Sequence, residues 1–335
     1  MLKALPKSLP DLVDLKYVSA KRSTALSFAS SSLAILHTRS GMPFQLRYCP
    51  SLAKKPLPSK DKDSAPKNRI NPFENPDPAL FIADLPPNSS EPSHLLLLNK
   101  FPIIPSHFLL VTKVNKAQTA ILEADDLEMS YECLRAWEDG SQGRRLYGFF
   151  NSGEHSGASQ AHRHLQFVPV EGMRQGDDRM EWDVLMDRIV EDKASVPFEV
   201  FWELISPGMG KEELYDVYRR LYEKAHDAVR RYATDHPDQL ELHDSKDGSS
   251  PFSYNLGMTS KALMIMPRRK EGTELTGPEG TAVGFAAFNG TVLAGTMMVK
   301  KQEEWDILRD NDLLLDSLLR DIGIPQVETS RDTRI

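Results

Sequence analysis

The chain has 335 residues, 40% hydrophobic and 27% charged, which is enough apolar chain for two small domains or one large one. Its net charge of -7 disfavours polymeric nucleic acid as a partner while leaving room for a local basic pocket, and no apolar run reaches the length of a membrane span. Two distant cysteines, Cys49 and Cys133, outside any C-x-x-C pair, point to reduced thiols rather than a disulfide framework or zinc ribbon.

The N-terminus holds Lys3, Lys7, Lys16, Lys21 and Arg22, but Pro6, Pro10, Asp11 and Asp14 break it. It lacks the compact apolar core of a secretion signal, so the expected location is intracellular. Residues 44–49 alternate like a half-buried strand. Between Pro50 and Pro92 lie ten of the 23 prolines, with Lys54, Lys55, Lys60, Lys62, Lys67 and Arg69 in the first half, so this segment is expected to be irregular. Within it, residues 57–69 read as a solvated linker. Two apolar runs, 94–98 and 107–112, flank the turn Asn99-Lys100-Phe101-Pro102 and predict a hairpin. Leu127, Tyr131 and Leu134 at helical spacing, with Gly140 beyond, predict a helix over 124–138.

The stretch 146–170 then reads as strand, small-residue loop, strand. From His162 the residues alternate until Pro169, so His162, His164, Gln166 and Val168 share one face while Arg163, Leu165 and Phe167 share the other. Such a polar row is costly as core without partners, because each unsatisfied buried group costs about 1–3 kcal/mol. It calls for a polar ligand or an exposed face. Neutral imidazole is a nucleophile, and Gly157, Ala158 and Ser159 let backbone N–H groups and a hydroxyl approach an anion closely. The functional reading is histidine attack on phosphorus, with Gln166 donating N–H to a phosphate oxygen. Competing readings are a solvated face and a zinc site, but neither cysteine is near and no further ligands stand at recognisable spacing.

Downstream, helices are predicted over 177–192 and 211–234, a strand over 198–205, and paired apolar runs over 252–258 and 262–266. This second pair weakly echoes the first hairpin. The segment 285–301 is small and apolar with an Asn289-Gly290 turn, and a helix over 303–322 stops at Gly323.

Gly157-Ala158-Ser159-Gln160-Ala161-His162-Arg163-His164-Leu165-Gln166 resembles the H-x-H-x-Q signature of the histidine-triad superfamily's transferase branch, specifically the fungal diadenosine tetraphosphate phosphorylases (ATP adenylyltransferases). Galactose-1-phosphate uridylyltransferases share H-x-H-x-Q but typically carry proline where this chain has Arg163. The resemblance implies an α+β fold with mixed, mainly antiparallel sheets and flanking helices, a pseudo-dimer of two halves: 1–195 catalytic, 196–335 completing the pocket. It implies His164 as the adenylylated nucleophile and Gln166 in place of the third histidine of the hydrolases. It implies substrate contacts from Asn151, Gly157, Ala158, Ser159, Gln160 and His162, from Lys54 or Lys55, from Asn99 and Lys100, and from Asn289, Gly290, Thr291 and Lys300. Lys300 and Lys301 can also be read as the plain basic end of an exposed strand, and Asn99 as an ordinary turn residue beside an exposed lysine.

The implied reaction is reversible phosphorolysis of diadenosine tetraphosphate to ATP and ADP, with inorganic phosphate as acceptor. No tightly bound cofactor and no protein-held metal are expected, although a divalent cation such as magnesium can travel with the polyphosphate. No nucleic acid or membrane partner is expected, and the expected location is cytoplasmic, with the nucleus also open. A hydrolase of the same superfamily, distinguished by indifference to phosphate, and a nucleotide-binding module without turnover, distinguished by the lack of covalent labelling, are the alternatives.

Overall fold

The computed structural model describes residues 2–51, 71–141, 143–175, 180–240, 242, 245, 248–277 and 280–326. Helix α1 (Leu9–Arg22) begins where the Ser8 side chain accepts the Asp11 N–H, with Pro10 in its first turn. A hairpin of β1 (Ser32–His37) and β2 (Pro43–Tyr48) follows. The proline-rich segment expected to be irregular ends in a strand, β3 (Phe81–Leu85), paired along β4 (His94–Leu98). Its prolines lie just outside the strand, at 78 and 86, so they bound it rather than break it.

β4 and β5 (Phe108–Thr112) form the predicted hairpin, and α2 (Ala124–Asp139) the predicted helix. β6 (Leu146–Ser152) and β7 (His164–Pro169) flank the Ser/Gly loop, and the short α3 (Val170–Met173) follows. Of the helix predicted over 177–192, α4 (Leu185–Asp192) is present, and residues 177–179 lie outside the described residues. β8 (Phe201–Leu204), α5 (Lys211–Asp235), β9 (Ser253–Met258) and β10 (Ala262–Arg268) follow expectation. β11 (Gly272–Thr276) and β12 (Ala282–Ala287) make a separate hairpin ahead of β13 (Thr296–Val299). The single C-terminal helix predicted over 303–322 is two, α6 (Gln302–Asp310) and α7 (Asp312–Ile322). Asn311 leaves helical geometry, and its side chain accepts the Leu313 N–H to start the second.

The fold is α+β. Eight antiparallel strands run in the order β3-β4-β5-β7-β6-β9-β10-β8, beside a three-stranded sheet β1-β2-β13 and the β11-β12 hairpin. Helices α1, α2 and α5 cover one face of the large sheet, packing on Phe108, Leu110, Leu165, Phe167 and Ile265. The opposite face carries two separate clusters. A large one centres on Tyr147, Phe149, Met264 and Met266 under α4, α6 and α7, and a small one gathers Leu95, Leu97, Leu109, Val111 and Phe73. Pairing of Leu109 with Gln166 and of Val111 with His164 puts both polar residues on this second face, between the two clusters. β6 pairs with β9 from Gly148↔Met258 to Ser152↔Tyr254, so hairpins β6-β7 and β9-β10 meet along one antiparallel seam, as two related halves in one chain would. Among the described residues no helix is long and apolar enough to cross a membrane.

Candidate active site

His164 opens β7, and the ladder with β6 reaches only as far as Phe149↔Gln166. Beyond that pair the strands part, and the main-chain groups near His164 need other partners. Gln118 supplies them. Its Oε1 accepts the His164 N–H at 2.8 Å, and its Nε2 donates to the carbonyls of Asn151 at 2.8 Å and His164 at 3.2 Å. On the other face of the strand Arg163 donates to Asp126 at 2.8 Å and to Glu123 at 3.0 Å, anchoring the strand start to the first turn of α2. Asp126 also contacts His94 Nε2 at 2.9 Å, and its carboxyl is held below its ordinary pKa by that hydrogen bond and the Arg163 charge, against the opposing effect of burial, which is the largest.

His164 is 3% exposed. Its Nδ1 lies 2.9 Å from the His162 carbonyl oxygen, which can only accept, so Nδ1 carries the hydrogen and Nε2 a lone pair. Burial pushes the His164 pKa down to about 4, against the donated hydrogen bond to His162, so the ring is neutral near pH 7. The arrangement is a neutral imidazole with one fixed nitrogen and one nucleophilic nitrogen.

His162 is buried, so the exposed-face reading of the polar row is not met. Its Nε2 donates to the Thr112 carbonyl at 2.7 Å and its Nδ1 faces the Asn71 carboxamide at 2.9 Å, so both ring nitrogens have protein partners. Among the described residues no three His, Cys, Asp or Glu side chains gather as metal ligands do. Gln166 is half-buried, and its Oε1 accepts from His107 Nε2 at 3.1 Å. His107 Nδ1 accepts in turn from Asn99 Nδ2 at 3.2 Å. This relay turns the Gln166 NH₂ group away from His107 and leaves it to donate elsewhere on the His164 face.

Two glycines let the C-terminal half reach this face. Gly157 has φ +78°, and a Cβ there would stand 2.7 Å from the Phe288 carbonyl and 2.8 Å from Asn289 Cβ. A Cβ on Gly290 would stand 2.6 Å from the Phe149 ring and 2.8 Å from Asn151 Oδ1. Asn151 Oδ1 accepts the Gly290 N–H at 2.8 Å and an Asn255 N–H at 2.9 Å, while Asn255 also donates to the Ser156 carbonyl at 2.9 Å. Arg268, fully buried, donates to Asn255 Oδ1 and to the carbonyls of Ile322, Lys270 and Glu271. Burial pushes its pKa down to about 9.

The profile of the Ap4A phosphorylase N-terminal domain matches residues 2–187, more than half of the chain. The chain belongs to the Ap4A phosphorylase family. The ATP adenylyltransferase C-terminal domain matches residues 194–325 of this family member. The chain is 28% identical to diadenosine 5',5'''-P1,P4-tetraphosphate phosphorylase 2 of Saccharomyces cerevisiae over 346 residues, covering 98% of each. It is 25% identical to Protein APA1 of the same yeast over 343 residues, covering 96% of each. The crystal structure of yeast Ap4A phosphorylase Apa2 superposes with a TM-score of 0.73 at 24% identity, covering 96% of this chain and 99% of that one, and the Apa2 complex with Ap4A gives 0.71. These superpositions establish the shared fold.

In this Ap4A phosphorylase family chain, the predicted residues His162, His164, Gln166, Asn151, Gly157, Asn289 and Gly290 come together at the centre of the large sheet. Ala158, Ser159 and Gln160 continue the Gly157 loop and are exposed. The Asn289 side chain accepts from the N–H and hydroxyl of Thr291, capping a short 3₁₀ turn. Asn99 is doubly engaged, accepting the Phe101 N–H and donating to His107, and Lys100 is exposed beside it. Parallel pairing of Val299 with Tyr48 sets Lys300 beside the start of the segment that holds Lys54 and Lys55, both of which lie outside the described residues. Residues that sequence reasoning missed are Gln118, His107, Asn71, Phe73 and Asn255. For His107 the signal was present, since it alternates with Leu109 and Val111 onto the His164 face.

Proposed function

We propose that the protein phosphorolyses diadenosine tetraphosphate to ATP and ADP, reversibly, by double displacement. The observation that carries this reading is the His164 ring, with Nδ1–H bound to the His162 carbonyl and Nε2 left as a lone pair beside Gln166. Nε2 attacks the α-phosphorus of one adenylyl group, the bond to the bridging oxygen breaks, and ATP leaves with that oxygen. Inorganic phosphate then attacks the same phosphorus, the P–N bond breaks, and ADP leaves while His164 regains its lone pair. Gln166 N–H and the Gly157 to Gln160 loop donate to the charge that develops on phosphorus-bound oxygens, each such donor being worth about 10²- to 10³-fold. The buried apolar cluster of Leu95, Leu97, Leu109, Val111 and Phe73 lies beside His164, and the purine is expected to seat at its edge.

In this reading Lys54 or Lys55 joins Lys300 at the far phosphates, Lys100 lies at the rim, and Asn289, Gly290 and Thr291 shape the far wall of the pocket. Residues 1–195 act as the catalytic half and 196–335 complete the nucleotide site. A divalent cation such as magnesium travels with the polyphosphate rather than sitting in a protein cage. The reading places the protein in the cytoplasm. The test is diadenosine tetraphosphate with and without inorganic phosphate, products resolved by charge. ATP and ADP in equal amounts, formed only with phosphate, support the proposal. ATP and AMP formed equally well without phosphate would make the protein a hydrolase.

A further inference from the structure

The proline-rich segment sends one turn, Asn71-Pro72-Phe73, against the histidine pair. Asn71 stands 91 residues from His162, and both ends of its carboxamide are committed. Oδ1 accepts the Phe73 N–H at 3.1 Å; a backbone N–H can only donate, so the end facing His162 Nδ1 at 2.9 Å is the NH₂ group. Nδ1 therefore carries a lone pair. Across the ring, Nε2 lies 2.7 Å from the Thr112 carbonyl oxygen, which can only accept, so Nε2 carries the hydrogen. Both contacts specify the same neutral tautomer. A proton on Nδ1 would point at the Asn71 NH₂, and turning the carboxamide over would set its nitrogen against the Phe73 N–H. The ring's partners, Asn71, Thr112 and Phe73, include no acid, and Phe73 packs on both imidazoles with centroids 5.7 Å from His162 and 5.2 Å from His164.

We propose that Asn71 is a positioning residue that holds His162 as the neutral Nε2–H tautomer, so that the group beside His164 stays uncharged while His164 carries the adenylyl group. The role in transfer rests on His164 being the nucleophile. With Nδ1–H kept by the His162 carbonyl and Nε2 bonded to phosphorus, the adenylylated ring is a cation. A second imidazolium beside it would raise its energy and hasten its loss. The Asn71 amide removes that charge before the intermediate forms, and the Thr112 contact keeps the His162 backbone in place to hold His164 Nδ1.

The test uses the full chain labelled with ¹⁵N-histidine, reading ring nitrogens by long-range ¹H–¹⁵N correlation, with His162 assigned by its loss in His162→Gln. The wild type is expected to show one protonated and one pyridine-like nitrogen on His162. Asn71→Asp, of the same shape but accepting, is expected to place hydrogen on both nitrogens near pH 7. Asn71→Leu removes the Nδ1 contact while the Thr112 carbonyl still holds Nε2–H, so it is expected to shift the Nδ1 resonance, and to lower kcat by about tenfold while KM for diadenosine tetraphosphate stays within about threefold. A doubly protonated His162 in the wild type, or a ring pattern in both Asn71 variants identical to the wild type, overturns the proposal. The ring pattern is read without turnover, so its failure is separable from failure of the transfer reading, which the phosphate-dependence assay decides.

Discussion

His164 is kept neutral by burial, and that has a consequence for stability as well as for chemistry. Its pKa falls from 6.5 to about 4 on folding, so between these values the unfolded chain binds a proton that the folded chain refuses. The contribution is fully present above pH 6.5, drains away as pH falls toward about 4, and is constant below. Thermal melts across this window are expected to show a shallower loss of Tm in His164→Asn than in the wild type; parallel slopes would contradict the burial account. In catalysis, His164→Ala is expected to abolish turnover while nucleotide affinity, measured by calorimetry, stays within about tenfold. In the proposed mechanism, Gln166 marks the choice of acceptor. A carboxamide has no proton to exchange near neutral pH, so water gets no base from it, whereas phosphate is already largely anionic. Gln166→His is expected to raise the ratio of AMP to ADP formed at fixed phosphate, and an unchanged ratio with adenylylation intact would place acceptor choice elsewhere.

Among the elements, β7 is held where its ladder ends. Gln118 takes three main-chain bonds at the point where β6 and β7 part, so it acts on His164 through the backbone. Gln118→Met leaves a buried N–H and two carbonyls without a partner, and is expected to cost about 1–3 kcal/mol in urea unfolding. It should also lower kcat more than it changes KM; a stability loss with kcat unchanged would make Gln118 structural only. The hairpin β4-β5, helices α2 and α5, and the alternation of His162, His164 and Gln166 were legible because apolar period and turn residues agree there. β3 was not, because its prolines mark the flanks of a short strand whose pairing is visible only in three dimensions. Gln118 and Asn71 were not legible either. Their partners stand 46 and 91 residues away, and no local pattern encodes such a contact.

For the whole molecule, the seam between β6 and β9 joins the His164 face to the strands of the C-terminal part of the chain. Arg268 ties together β9, the end of α7 and the β10–β11 turn, and through Asn255 it reaches Asn151 and Ser156. The two halves close on each other through glycines, and that closeness is testable. Gly290→Ala sets a methyl group against Phe149 and Asn151, so it is expected to push the 288–291 segment outward and cost about 1–3 kcal/mol by overpacking. A fall in kcat/KM should accompany it, and wild-type kinetics in a folded Gly290→Ala chain would show that the C-terminal segment does not shape the pocket. The two-half character was hinted at by the weak echo of one hairpin in another, but the seam itself depends on pairing across 104 residues, as between Asn151 and Asn255. The central claim, that a histidine carries the adenylyl group between leaving ATP and arriving phosphate, is tested most directly by mixing the protein with α-labelled diadenosine tetraphosphate in the absence of phosphate. Label is expected on the protein, stable to alkali, lost in acid, located on His164, and discharged as ADP when phosphate is added. No bound label, or label on His162, would contradict the account.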